Sequence, residues 1–263
     1  MRKGRKNKLW MENISMFLKQ VRIVKLFLAA GVAALISVFW YVNRFGEAFS
    51  TIYDFSGLDS IFFICGNYPK GMEAGLMPDH YLMAMLPFIL LAEHLISYVD
   101  TNTCERIFYI CLRRKKLWKQ AGHDLVRILF IVFAWMACYQ AVLGTVLGCL
   151  YGWSGVSYFV ERSLAVGDTV NLLCLFTLRQ MFILFSVAMI IYGIQLWLGG
   201  SWSAIVMIGM VSAMVLMVFS GADFPFLLNL RSFRLAEPLL LLILILAGIV
   251  FLRKYLWKIY LHE

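Results

Sequence analysis

Charge is what this chain has least of. Asp, Glu, Lys and Arg together fill 15% of its 263 positions, against about a quarter in a soluble domain. The shortage excludes a water-covered globule, whose surface needs polar side chains to meet solvent. No GxxxxGKS/T loop occurs, so the chain has no P-loop with which to bind and hydrolyse ATP. His80, His94, His123 and His262 form no HExxH pair, and Cys65, Cys104, Cys111, Cys138, Cys149 and Cys174 never stand at metal-site spacing. Free thiols and no bound metal are expected. Strand-like alternation is missing as well, which leaves an all-α chain.

A protease pattern is present only in part. Gly152-Trp153-Ser154-Gly155 spells the GxSG of intramembrane serine proteases, but that chemistry needs a histidine base from a later span. The only later histidine is His262, in the basic tail, so Ser154 reads as a turn residue.

Apolar residues fill the space instead. They make up 62% of the chain and set a mean hydropathy of +0.80, the composition of an integral membrane protein. Six stretches are long enough to cross a hydrocarbon core of about 30 Å as helices: Leu26–Val42, Tyr81–Val99, Ile128–Leu150, Met181–Leu198, Trp202–Phe219 and Pro238–Leu256. They make one transmembrane domain over residues 1–263. The first and fifth are short and borrow flanking residues, with Lys25 snorkelling to the interface.

Basic residues set the orientation. Arg2 to Lys25, the run from Arg106 to Arg127, and Arg253, Lys254 and Lys258 share one side; Arg44, Lys70, Arg162, Arg179, Arg231 and Arg234 fall on the other. The bias places both termini in the cytoplasm of a multi-pass cell-membrane protein. The net charge of +9 then reflects topology and attraction to anionic lipid, without a nucleic-acid partner. Residues 1–25 interrupt any signal-peptide core; Trp10, Ile14, Phe17, Leu18 and Val21 share a face, as in an interfacial helix. Trp40, Tyr41, Tyr151 and Trp153 stand at span ends, where amphipathic rings settle. Outer loops are expected at 43–80, 151–179 and 220–237, with Ile61–Tyr68 able to pack on the membrane surface.

Three groups of residues are candidates for function. The first is the segment 100–120, DTNTCERIFYICLRRKKLWKQ, a polar hinge followed by an amphipathic stretch and a basic knot. Ile107, Phe108, Cys111, Leu112 and Trp118 share one side at helical spacing, while Glu105, Arg106, Arg113, Lys116 and Lys119 occupy the rest. Such a helix lies along a membrane face and offers charge to a cytoplasmic partner. The second group is polar residues within spans: Glu93 and His94 in the second, Gln140 in the third, with Arg179 and Gln195 bracketing the fourth. Intramembrane charge is expensive, so these mark either a substrate path or interhelical pairing. The third is Gly144, Gly148 and Gly152, whose four-residue spacing lets helices approach closely, within the subunit or at an interface or outer gate.

With these residues in view, the layout resembles the permease subunit of a type II ABC exporter. The stretch LPFILLAEHLISYVDTNTCERIFYICLRRKKLWKQ carries most of the likeness, and Arg114, Lys115 and Lys116 match the family's basic knot; no glycine stands between Asp100 and Gln120, where members often have one. The resemblance implies that the segment is a coupling helix docking into a separate ABC ATPase subunit dimer. Glu105, Arg106, Arg113, Arg114 and Lys115 would then lie at that contact. It implies that this chain is no enzyme, that ATP and Mg bind only in the partner, and that a second permease copy or a paralogue completes the pore. Cargo of such exporters includes antimicrobial peptides, drugs and lipids. Two other classes stay open: a non-transporting scaffold or immunity protein, and an ion-coupled secondary transporter. The latter is disfavoured because the halves show no inverted repeat.

Overall fold

The computed structural model describes residues 22–46, 55–66, 78–110, 116–153, 155–157 and 162–198, with the single helical positions Ile205, Gly209 and Ile243. The described chain is helical apart from one short ribbon. Helix α1 spans Ile23–Tyr41 and runs on through a π-turn at Val42–Gly46. A short α2 covers Gly57–Ile64, α3 covers Pro78–Ile110 and α4 covers Lys116–Tyr151. Strands β1 (Gly155–Ser157) and β2 (Arg162–Leu164) pair antiparallel, Val156 opposite Ser163, and lead into α5 at Val166–Leu198.

Among the described residues, three helices are long and apolar enough to cross a membrane: Ile23–Phe45, Leu125–Tyr151 and Val166–Met189. Leu82–Tyr98 is a shorter apolar helix. These mark a membrane protein. The fifth and sixth expected spans, and the interfacial helix of residues 1–25 but for its last few positions, lie outside the described residues. Arg22 introduces α1 in the left-handed region, at φ 51°.

Small residues set the packing. Ala30, Ala33 and Ala34 on α1 are fully buried, as are Trp135, Leu143 and Leu147 on α4. Methyl side chains let the two backbones come close, which is how helices gain dispersion energy where lipid removes the hydrophobic drive.

Two expectations are corrected. The hinge at Asp100–Thr103 does not break the helix: α3 continues without interruption to Ile110, and α4 is already helical at Lys116. Asp, Asn and Thr cost only about 0.5–0.7 kcal/mol each against alanine in a helix, and neither Gly nor Pro is there to stop it. Residues 100–110 thus extend α3 and residues 116–120 open α4, while 111–115 lie outside the described residues. The fourth span starts at Val166 rather than Met181, so the expected outer loop 151–179 shrinks to the ribbon and its flanks. Asp168 falls in the first turn of α5, where a carboxylate suits the positive helix end. Arg179 lies inside the bundle, 3% exposed.

Candidate functional site

Helix α2 is eight residues long and buried on every side. It packs against α4 beside the ribbon, among helices that would cross the membrane. A short helix lodged among apolar helices is stable only if its backbone polar groups are satisfied within the protein.

Its first turn carries the means. The Ser56 hydroxyl accepts from the Asp59 N–H at 3.3 Å, and the Asp59 carboxylate accepts from the Ser56 N–H at 3.4 Å, a reciprocal capping box. The same carboxylate accepts from the Ser56 hydroxyl at 2.9 Å and from the Ser157 hydroxyl of β1 at 2.6 Å. Ser60 donates to the Ser56 carbonyl at 3.0 Å and pairs with the Tyr41 hydroxyl at 3.0 Å. At the other end, His80 of α3 donates its Nε2–H to the Phe63 carbonyl, which fixes the tautomer. The imidazole stacks on Phe63 at 4.2 Å and on Trp40 at 5.7 Å. Tyr41 meets Phe63 at 5.9 Å and Tyr151 at 5.9 Å. Of the rings expected among lipid headgroups, Tyr41 is buried against α2, while Trp40, Tyr151 and Trp153 stay partly exposed; Ile61–Gly66 are buried rather than laid on a surface.

Glycines bring α2 against α4. The Gly57 N–H donates to the Gly152 carbonyl at 2.9 Å, joining the positive end of α2 to the negative end of α4. A Cβ on Gly57 would stand 2.8 Å from that carbonyl oxygen and 3.0 Å from the Gly148 Cα. Gly152 itself has φ 79°, the left-handed turn that ends α4. Trp153 folds back over Gly148 and Gly144, so the glycine stripe seats an indole and a helix end of the same chain.

The intramembrane polar residues separate. Glu93 pairs with Lys25 at 3.6 Å on the bundle surface, the two side chains 59% and 51% exposed. Because Lys25 lies near the start of α1, Glu93 belongs near that end, which is also the end where Arg127 donates to the Tyr98 hydroxyl at 3.5 Å. Its neighbour His94 is buried. Gln140, 4% exposed, donates Nε2–H to Cys65 Sγ at 3.7 Å. Burial pushes the Cys65 thiol up to about 12, with the Gln140 hydrogen bond opposing. Within the bundle, Gln140 Oε1, Gln180 Oε1 and Trp135 Nε1 have no hydrogen-bond partner. Of the residues expected at a coupling contact, Glu105 and Arg106 lie on the α3 extension, while Arg113, Arg114 and Lys115 lie outside the described residues. Among the described residues, no group of His, Cys, Asp or Glu could hold a metal ion.

Asp59, Ser56, Ser157 and Gln180 are the site residues that sequence reasoning missed. The signal for the first two was Ser-Gly-Leu-Asp ahead of Ile-Phe-Phe-Ile, a capping box before an apolar run. No protein family, curated relative or solved structure matches this chain.

Proposed function

We propose that this chain is the permease subunit of an ATP-driven exporter of the type II ABC kind, moving a peptide, drug or lipid-like substrate outward. Six spans and cytoplasmic termini put the basic end of the bundle inside and α2 with its ribbon outside. ATP and Mg are handled by a partner ATPase dimer. A second permease copy or a paralogue completes the path, which follows the buried side of α3 and α4 at His94 and Gln140 rather than Glu93.

The observation that supports this reading is the long hairpin of α3 and α4. Their 33 and 36 residues correspond to about 50 and 54 Å at 1.5 Å per residue, against a hydrocarbon core of about 30 Å. Both helices continue well past their apolar windows toward the basic knot, and 111–115 is all that separates them. A continuous helix transmits a push at its tip along its whole length. The packed α2 and its aromatic holders would close the outer half until such a movement released them.

The test is to tag the chain in its native cells and identify what co-purifies in mild detergent. A P-loop ATPase in stoichiometric amount is the expected result; its absence, with the chain monodisperse, would favour a scaffold.

A further inference from the structure

Lys25 and Glu93 bring opposite charges together on a face of the bundle that is otherwise apolar. Lys25 stands in the first turn of the span Ile23–Phe45, where hydrocarbon gives way to headgroups. Glu93 is at the same depth, because the two side chains meet at 3.6 Å. Further along, Trp40 of α1 stacks on His80 of α3 at 5.7 Å, so α3 runs antiparallel to α1. Leu28, Val32 and Phe39 follow Lys25 at helical spacing on its side of α1, and Leu82, about three turns before Glu93, shares its side of α3. All four are more than half exposed. At 1.5 Å per residue the strip runs about 16 Å on α3 and about 21 Å on α1, against about 15 Å for one leaflet's half of the hydrocarbon core. The acyl chains of one leaflet fit along it.

The ion pair is too loose to act as a strut. Charge-assisted hydrogen bonds run about 2.7–2.9 Å, and both of these side chains are more than half exposed. The ammonium therefore keeps N–H donors, and the carboxylate keeps acceptor oxygens, for a further partner. A lysine alone would snorkel to water. A shorter glutamate at the edge of the hydrocarbon is costly unless a donor meets it. We propose that Lys25 and Glu93 form a docking site for the headgroup of a phospholipid that carries a primary ammonium beside its phosphate, as phosphatidylethanolamine does. Lys25 donates to the phosphate, the lipid ammonium donates to Glu93, and the acyl chains lie along Leu28, Val32 and Leu82. Phosphatidylcholine meets only half of this pattern, because its quaternary nitrogen has no N–H to give. The inference concerns lipid binding alone and holds whether or not an ATPase drives the chain.

The test is native mass spectrometry of the full chain, delipidated in detergent and titrated with phosphatidylethanolamine or phosphatidylcholine of identical acyl chains. The unaltered protein should bind its first phosphatidylethanolamine about fivefold more tightly, the upper range of an exposed ion pair. Glu93→Gln should bring the two lipids level. Lys25→Gln should weaken both, since both carry the phosphate. Equal binding of the two lipids by the unaltered protein would overturn the site, however the variants fold. A preference that persists in Glu93→Gln would overturn it too, as would binding of both lipids unchanged in Lys25→Gln. A dimer that retains no lipid would show the face covered by a second copy instead, and would also overturn the site.

Discussion

The indole of Trp153 lies where a side chain on Gly148 would have to be. A Cβ built on Gly148 would come within 2.0 Å of the Trp153 ring, so the two positions are one packing unit. Gly148→Ala should destabilise the protein by about 1–3 kcal/mol, the usual penalty of forcing extra volume into a packed core. Adding Trp153→Ala should recover part of the loss, because the residues are coupled. Thermal unfolding of the single and double variants in detergent measures both.

Asp59 and Ser157 tie α2 to the ribbon through a hydrogen bond of 2.6 Å. Asp59→Ala removes that acceptor and half of the capping box, and should cost about 1–3 kcal/mol. Ser157→Ala should cost less, since the Ser56 bonds to Asp59 remain. A double-mutant cycle on unfolding midpoints should return a coupling of at least about 0.5 kcal/mol.

Cys65 should resist alkylation while the fold is intact. Its thiol is buried, and burial pushes it up to about 12, which starves it of the thiolate, the reactive form. Raising the pH from 7 to 9 should leave a variant retaining only Cys65 unlabelled by maleimide. Denaturant should release it. Labelling of the folded protein at pH 7 would show that α2 opens readily at rest.

The Lys25–Glu93 pair, more than half exposed on both sides, should matter little to stability. Exposed ion pairs contribute about 0–1 kcal/mol, so Glu93→Ala should move the unfolding midpoint by no more than a degree or two. A large loss would place the pair in an interface that the chain alone does not show.

The apolar cores of α1 and α4 were readable because a span needs only length and composition, and Leu26–Val42 and Ile128–Leu150 fall within the observed helices. The start of α5 was not. Asp168, Asn171, Arg179 and Gln180 dilute its hydropathy, yet Arg179 and Gln180 turn into the bundle, where hydropathy does not report. Helix α2 escaped notice because eight residues are too few for a span, and its burial depends on partners distant in sequence: Tyr41, His80 and Ser157. The supposed hinge at Asp100–Thr103 shows the opposite error, weak helix formers carried along by a long helix already nucleated. Gln140 was singled out as a polar residue in a span; Gln180, just as buried, escaped notice because it stands one position outside the apolar stretch Met181–Leu198.

In the proposed reading, the basic knot between α3 and α4 couples the spans to an ATPase. Reversing Arg113 and Arg114 together to Glu probes that coupling. Breaking a desolvated charge pair at an interface typically costs about 2–5 kcal/mol, while Lys115, Lys116, Lys119 and Arg127 still hold the loop inside. The expected result is normal membrane insertion, loss of the co-purifying ATPase and loss of stimulated ATP hydrolysis. Normal insertion with the ATPase bound as before and hydrolysis still stimulated would contradict the claim and reduce the knot to a topology signal.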